Sequence, residues 1–499
     1  MASDSLPSTL GELKKSGYRP IGVKQEMRRN LIRKLKAGET IFPGILGYDE
    51  TVIPQVQNAI LAQHDFLLLG LRGQAKTRLV RSLVHLLDDF IPVVQGSHIN
   101  DDPLQPISKH ARELVQRLGD ETPIEWLPRE RRYQEKLATP DVTIADLIGD
   151  VDPIKAMARK LDFSDEEVIH YGIIPRSNRG IFAINELPDL QPRIQVGLLN
   201  IMEEKDLQIR GFPIRIPLDL CIVYTANPED YTNRGNIITP LKDRIDAQII
   251  THYPQDLDEA AAITRQEAWT NRDGDDEGTV QVEIPELFRE IVERVAFEAR
   301  KSEYVDRNSG VSARMPITLL ETVVAAAERR ALASGESATT LRVVDLFTGA
   351  TAITGKVELV YRGEQEGPQN VAQFLVGRAI REAFNSRFVP NYKPGREQKH
   401  SFSQFSQVIA WFEEDGRVLD VYDDMDNASY VAALSAVSDL PHIIDAQWPG
   451  VSPSERAALM EFVIEGLHQN YLITKMVGGR KAVYTDTVSH MMGQIDDDE

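Results

Sequence analysis

The sequence predicts an α/β core built on a parallel sheet, followed by an all-helical lid domain and a mixed α+β C-terminal region. Three observations predict it. Short apolar segments, Asp65–Leu69, Ile181–Ile184 and Leu220–Tyr224, alternate with amphipathic stretches up to about residue 254, as strands covered on both faces by helices do. A glycine-containing loop joins the first of these strands to a helical pattern. Beyond about residue 255 helical periodicity takes over, with no convincing parallel strand.

Residues 1–40 read as an N-terminal helical extension whose basic amphipathic stretch, Lys24–Lys36, is expected as a solvated helix at the domain edge. Residues 41–254 form the α/β domain, with a long polar insertion at about Ser97–Pro140. Residues 255–360 form the helical lid, carried by Pro285–Lys301, with its proline in the first turn, and Thr318–Ala333. The acidic run Asn271–Gly278 has the glycine of a calcium loop starting at Asp273. Its twelfth position is Ile284 where a bidentate glutamate is required, so it reads as a solvated loop. Residues 361–499 form a C-terminal α+β extension of unknown role. There Ser452-Pro453-Ser454-Glu455 opens a helix as a capping box. Leu472–Tyr484 reads as a hairpin turning at Gly478-Gly479, and Asp496–Glu499 is an acidic tail. A helix followed by a hairpin also fits a winged-helix-like unit, although the pattern is common.

Composition bounds the function. A chain of 499 residues, 42% hydrophobic and 26% charged, has ample core material and is not disordered over most of its length. Apolar runs such as Phe66–Leu69 fall far short of the roughly 20 residues that span a bilayer. The polar N-terminus shows no secretory pattern, and the lone Cys221 excludes an intramolecular disulfide or a cysteine-rich metal site. A cytoplasmic protein is the expectation. A net charge of −20 argues against general nucleic-acid affinity, which depends on neutralising phosphates.

The strongest chemistry lies at Gly70-Leu71-Arg72-Gly73-Gln74-Ala75-Lys76-Thr77, between a strand and the helix Thr77–Leu87. This is the context of a phosphate-binding P-loop. Backbone N–H groups surround the β-phosphate, Lys76 neutralises the β/γ oxygens and the Thr77 hydroxyl ligates Mg²⁺. Ala75 replaces the usual last glycine, which is tolerable if its φ stays negative. The strand Gly180–Ile184 ends in Asn185-Glu186, the shape of a Walker B segment. Asn185 stands where a metal-holding aspartate is usual, so metal binding is weakened, whereas Glu186 keeps the carboxylate that orients water. A third strand ends Thr225-Ala226-Asn227, and Asn227 fits a γ-phosphate sensor.

These residues together resemble the AAA+ ATPases, specifically the branch of the magnesium chelatase ATPase subunit and the MoxR-type ATPases. The resemblance covers roughly Ile41–Ala352. Ile45-Leu-Gly-Tyr-Asp49 looks like the family's adenine-packing segment. Gly96–Pro103 sits where chelatase subunits carry a cysteine-containing segment ending Asp-Pro, but no cysteine stands here. Leu147–Asp152 followed by Gly172–Gly180 is similar to the most branch-specific stretch.

The resemblance implies that Arg244, in Pro240–Arg244, is an arginine finger acting on a neighbouring subunit. It also implies that Arg314, in Ser312-Ala-Arg314, is a sensor arginine contacting phosphate. It further implies a ring, usually a hexamer, and a separate partner carrying a von Willebrand A domain. The expected function is a Mg²⁺-dependent ATP-hydrolysing motor that remodels a partner protein. A MoxR-like chaperone unrelated to porphyrin metalation stays open. So does a nucleotide-gated scaffold with little turnover because of Asn185. The loop Gly-Ala-Phe-Thr-Gly-Ala of enhancer-binding activators is absent.

Overall fold

A computed structural model describes residues 6–486, apart from 153, 155, 158–164, 204–205, 208–215, 229–234, 273–279, 390–401, 415–416 and 479–480. Most of the acidic run at 271–278, part of the hairpin turn and the acidic tail lie outside the described residues. The chain divides into two compact units, Met1–His252 and Tyr253–Glu499. Among the described residues no helix is long and apolar enough to cross a membrane.

The first unit is organised by five strands, β1 (Phe66–Leu69), β2 (Tyr133–Leu137), β3 (Gly180–Asn185), β4 (Leu220–Ala226) and β5 (Ala247–Ile250). Their order is β5-β1-β4-β3-β2, and every pairing is parallel. The sheet of the predicted fold class is therefore present. Side chains alternate between its faces. Phe66, Leu68, Ile181, Ala183, Cys221 and Val223 join one core with helices α1 (Val23–Ala37), α2 (Val52–Leu61) and α3 (Lys76–Ser82). Leu67, Phe182, Ile184, Ile222 and Tyr224 join a second core with helix α4 (Pro192–Glu203). Each valine, leucine, isoleucine or phenylalanine among them, fully buried, contributes about 1.5–3 kcal/mol relative to exposure.

Two expectations need correction here. The Lys24–Lys36 stretch is solvated on one face only: Gln25, Arg28, Arg29 and Arg33 are exposed, whereas Val23, Met27 and Leu31 of α1 bury a helical stripe in the core. Glu26 on the same face is bound by Arg132 through Nη1 at 2.7 Å and Nη2 at 2.6 Å, and both side chains are buried. The insertion at Ser97–Pro140 is not merely polar loop. It holds a helix over Lys109–Leu118, a strand Ile124–Pro128 that pairs antiparallel with Phe90–Val94, and β2 itself. As an edge strand reading Tyr-Gln-Glu-Lys-Leu, β2 carries no apolar run to betray it.

In the second unit, helices α5 (Glu286–Lys301), α6 (Arg314–Ser334), α7 (Pro368–Phe388) and α8 (Pro453–Gln469) contribute to one continuous core running from Leu287 to Tyr484. The residues expected as lid and those of the C-terminal extension share that core. The lid stretch is not all-helical, because Gln281–Glu283 pairs in parallel with Ala338–Thr340. Three residues a side are too few to show a pattern. Ser452 Oγ accepts from Glu455 N at 3.1 Å and caps α8. Strands β6 (Leu419–Tyr422), β7 (Thr474–Gly478) and β8 (Lys481–Thr485) form an antiparallel sheet ordered β6-β8-β7. The hairpin β7–β8 is fastened to α8 by Glu465, which accepts from Lys475 Nζ at 2.8 Å and Tyr484 Oη at 2.7 Å. Every residue from Ala457 to Leu467 is buried, so α8 offers no free face of the kind a groove-reading helix needs.

Candidate nucleotide site at the carboxyl ends of the sheet

Ligands of open α/β sheets bind outside the carboxyl ends of the strands; the predicted residues of the loop, of β3 and of β4 gather there, while Arg244 precedes the amino end of β5. β1 lies between β4 and β5, and β4 pairs with β3, so the tips of β1, β3 and β4 are adjacent. The loop Gly70–Ala75 leaves β1, Asn185 ends β3 with Glu186 next to it, and Asn227 follows β4 directly.

The loop is held from beneath. Gly70 N donates to Ala226 O of β4 at 3.1 Å. A Cβ on Gly70 would come within 1.9 Å of Thr251 Oγ1 and 2.2 Å of Gln74 Oε1, so only glycine fits. Gln74 is buried, with Oε1 accepting from Thr251 Oγ1 at 2.6 Å. Its carbonyl oxygen lies 2.8 Å from Tyr48 Oη, which is also 2.9 Å from His252 O. The segment expected to pack against adenine is thus tied to the phosphate loop through Tyr48. Gly73 and Ala75 have φ of 74° and 53°, the alternation that turns successive N–H groups inward as an anion nest. The expected condition on Ala75 is overturned. Its φ is positive, and a Cβ in that left-handed region costs about 1–2 kcal/mol. Helix α3 then gives way to a tight 3₁₀ turn over Leu83–Leu86, shorter than the α-helix expected to Leu87.

Lys76 is buried, and its Nζ donates to Gly70 O at 2.5 Å and Leu71 O at 3.0 Å. Its charge therefore sits inside the loop curl. Thr77 is exposed on the first turn of α3. Asn185 and Glu186 are half-buried. Glu186 adopts a left-handed φ of 55°, and its N–H donates to Thr225 Oγ1 at 3.1 Å. Such strain in a non-glycine residue concentrates at functional sites. Arg244, half-exposed at the end of the short helix Thr239–Asp243, donates to Pro240 O at 2.9 Å. Arg314, by contrast, is the first residue of α6 in the second unit.

The residues present fit a Mg²⁺–nucleotide. Oxygen donors suit a hard cation that takes its remaining ligands from phosphate and water, and Thr77 and Asn185 offer such donors. Among the described residues no group of three or more His, Cys, Asp or Glu gathers as a self-sufficient metal site. Sequence reading missed Thr225, Glu135 and Arg81. Arg81 above all, with Tyr133 and Asn185 adding, holds the Glu135 carboxyl below its ordinary range against the opposing effect of burial. No local pattern marks these three, because strand register brings them together.

The branch-specific stretch is structural. Asn178 Nδ2 donates to Ile99 O at 2.8 Å, and Arg179 binds Pro92 O at 2.7 Å, Tyr18 Oη at 2.8 Å and Asp102 at 2.9 Å. A Cβ on Gly180 would meet Arg132 O at 2.1 Å. The stretch thus pins the Asp-Pro segment and the N-terminus to the start of β3.

No family model matches the chain. The chloroplastic magnesium-chelatase subunit ChlI of Oryza sativa, in both its indica and japonica subspecies, is 26% identical over 263 residues, half of this chain and 55% of the relative. Over that stretch the chain is similar to a magnesium-chelatase subunit, of the branch of AAA+ ATPases whose motifs its sequence resembles. It spans about half the length of the curated relatives it matches. Among solved structures, a complex of the magnesium chelatase subunits BchI and BchD is 20% identical and covers 65% of this chain and 98% of that one, with a TM-score of 0.32. NtrX from Brucella abortus in complex with ADP is 12% identical, covering 74% and 68%, with a TM-score of 0.35. Neither superposition adds to the assignment. The loop that carries the phosphate-binding pattern, Gly70–Thr77, lies in the first unit.

Proposed function

We infer that this chain hydrolyses ATP with Mg²⁺ in a homo-oligomeric ring, a hexamer by resemblance, and uses the cycle to remodel a partner protein. The observation that carries the reading is the convergence of Lys76, Asn185–Glu186 and Asn227 at the tips of three adjacent parallel strands. In this mechanism the loop N–H groups and Lys76 bind the phosphates. Lys76 must exchange its two loop carbonyls for phosphate oxygens. Thr77 and Asn185 would hold Mg²⁺, which when bound neutralises phosphate charge. Glu186 orients the attacking water and Asn227 reads the γ-phosphate. Arg244 acts in the site of a neighbouring subunit, where an arginine finger contributes about 10³–10⁵ in turnover. Arg314 serves as a second phosphate sensor.

The partner in this reading is a separate protein, with a von Willebrand A domain by resemblance. Whether the work is porphyrin metalation or a MoxR-like chaperone task is decided by that partner. A second reading, a nucleotide-gated scaffold with little turnover, is favoured by one observation: residue 185 is an amide. Steady-state ATP hydrolysis under saturating Mg²⁺ separates the two. The motor reading expects turnover in wild type that Lys76→Ala and Glu186→Gln each lower at least 100-fold, about 2.7 kcal/mol in barrier. Wild-type turnover no faster than that of Glu186→Gln would leave the scaffold.

A further inference from the structure

Strand β3 ends in an amide where a metal-holding carboxylate is expected, and the neighbouring strand supplies one. In the parallel register of β2 and β3, Glu135 stands beside Ala183 and Leu137 beside Asn185. Side chains two apart share a face, so Glu135 and Asn185 both lie on the face where Ala183 joins the core with α3. Glu135 is fixed there from two sides. Arg81 of α3 donates through Nε at 3.1 Å and also through Nη2, and Tyr133 Oη donates at 2.7 Å. Asn185 Oδ1 accepts from Thr225 Oγ1 of β4 at 3.2 Å; because β3 lies between β4 and β2, this leaves the NH₂ group on the β2 side, where Glu135 stands, and Asn185 helps to hold that carboxyl low. Thr225 Oγ1 in turn accepts from Glu186 N at 3.1 Å. A row of polar groups thus leads from α3 through Glu135, Asn185 and Thr225 to the backbone of Glu186.

An amide whose NH₂ group faces a carboxylate is polarised, and its oxygen becomes a stronger acceptor. The same logic operates where a carboxylate behind a metal-binding imidazole raises the ligand's basicity. We propose that Glu135 is a positioning residue of the metal–nucleotide site, orienting and polarising Asn185 so that its amide oxygen takes the place of the missing aspartate. The proposal rests on the nucleotide reading above and deepens it. An aspartate at 185 would face Glu135 as a second carboxylate, and like charges on adjacent strands repel. The two positions are alternatives for one negative charge.

The test uses the full chain and the fluorescent nucleotide mant-ADP, whose dissociation constant is followed as Mg²⁺ is titrated, with no hydrolysis required. Glu135→Gln is expected to raise the Mg²⁺ concentration needed for tight binding about tenfold, while mant-ADP affinity in EDTA stays within about twofold of wild type. Asn185→Asp combined with Glu135→Gln moves the charge back to β3. It is expected to restore the Mg²⁺ response, and the restoration should vanish in EDTA. An unshifted Mg²⁺ titration in Glu135→Gln, or a double variant no better than that single one, overturns the proposal. Should Glu135→Gln melt too early to assay, Glu135→Asp keeps the charge near Arg81 but draws it back from Asn185. The same direction of shift is expected there, and its absence is equally fatal. If wild type binds no mant-ADP at all, the nucleotide reading fails and takes this role with it. If wild type binds and only the Mg²⁺ response is indifferent to Glu135, the role of Glu135 alone falls.

Discussion

At the scale of single residues, Ala75 is the clearest departure from an ideal phosphate loop. Its methyl group is held at a φ of 53°, which glycine adopts freely. Ala75→Gly relieves about 1–2 kcal/mol of left-handed strain and loses about 0.5–1 kcal/mol to the greater freedom of the unfolded chain. A net gain of up to about 1.5 kcal/mol is expected, read as a rise in the first unit's melting temperature; a fall would show that Cβ contacts outweigh the strain. The loop was legible because its chemistry is local: glycines, Lys76 and Thr77 are consecutive in sequence. Glu186 and Asn227 stood out in the sequence because each directly follows an apolar strand. Glu135, Thr225 and Arg81 were not, because their meeting depends on which strands are neighbours and in what register.

Secondary-structure elements carry the next two predictions. The pair Glu26–Arg132 fastens α1 to the turn before β2, and Glu26 Oε1 also accepts from Asp88 N at 2.6 Å. Glu26→Ala leaves a buried guanidinium uncompensated, so a loss of about 3–5 kcal/mol is expected in denaturant unfolding of the first unit. A loss under about 1 kcal/mol would mean that water reaches Arg132. In the second unit, burial pushes Glu293 of α5 up to about 7, with Thr264 and Arg300 opposing the shift. A carboxyl raised in the folded state binds its proton more tightly there than when unfolded. Stability should therefore fall as pH rises from the ordinary glutamate range through about 7, then level off. The effect should be up to about 3 kcal/mol. Glu293→Gln should flatten that profile and be more stable than wild type at pH 8; an unchanged profile would rule Glu293 out. Apolar strands β1, β3 and β4 announced themselves in the sequence. The edge strand β2 and the three-residue parallel pair of the second unit did not, since neither repeats long enough, or apolar enough, to set a period.

For the whole molecule, the separation of an α/β part from a largely helical part was legible in the change of periodicity near residue 255. The single core joining residues 287–484 was not, because helix–helix contacts between distant stretches leave no local trace. The central claim is that active sites are completed between subunits, with Glu186 in one chain and Arg244 from its neighbour. Mixing Glu186→Gln protein with Arg244→Ala protein tests it most directly. Each variant alone should hydrolyse ATP at least 100-fold more slowly than wild type, and mixing should restore a substantial fraction of wild-type turnover, increasing with protein concentration. That is the expected result, because some interfaces then pair an intact Glu186 with an intact Arg244. A mixture no more active than the sum of its parts would contradict the shared site.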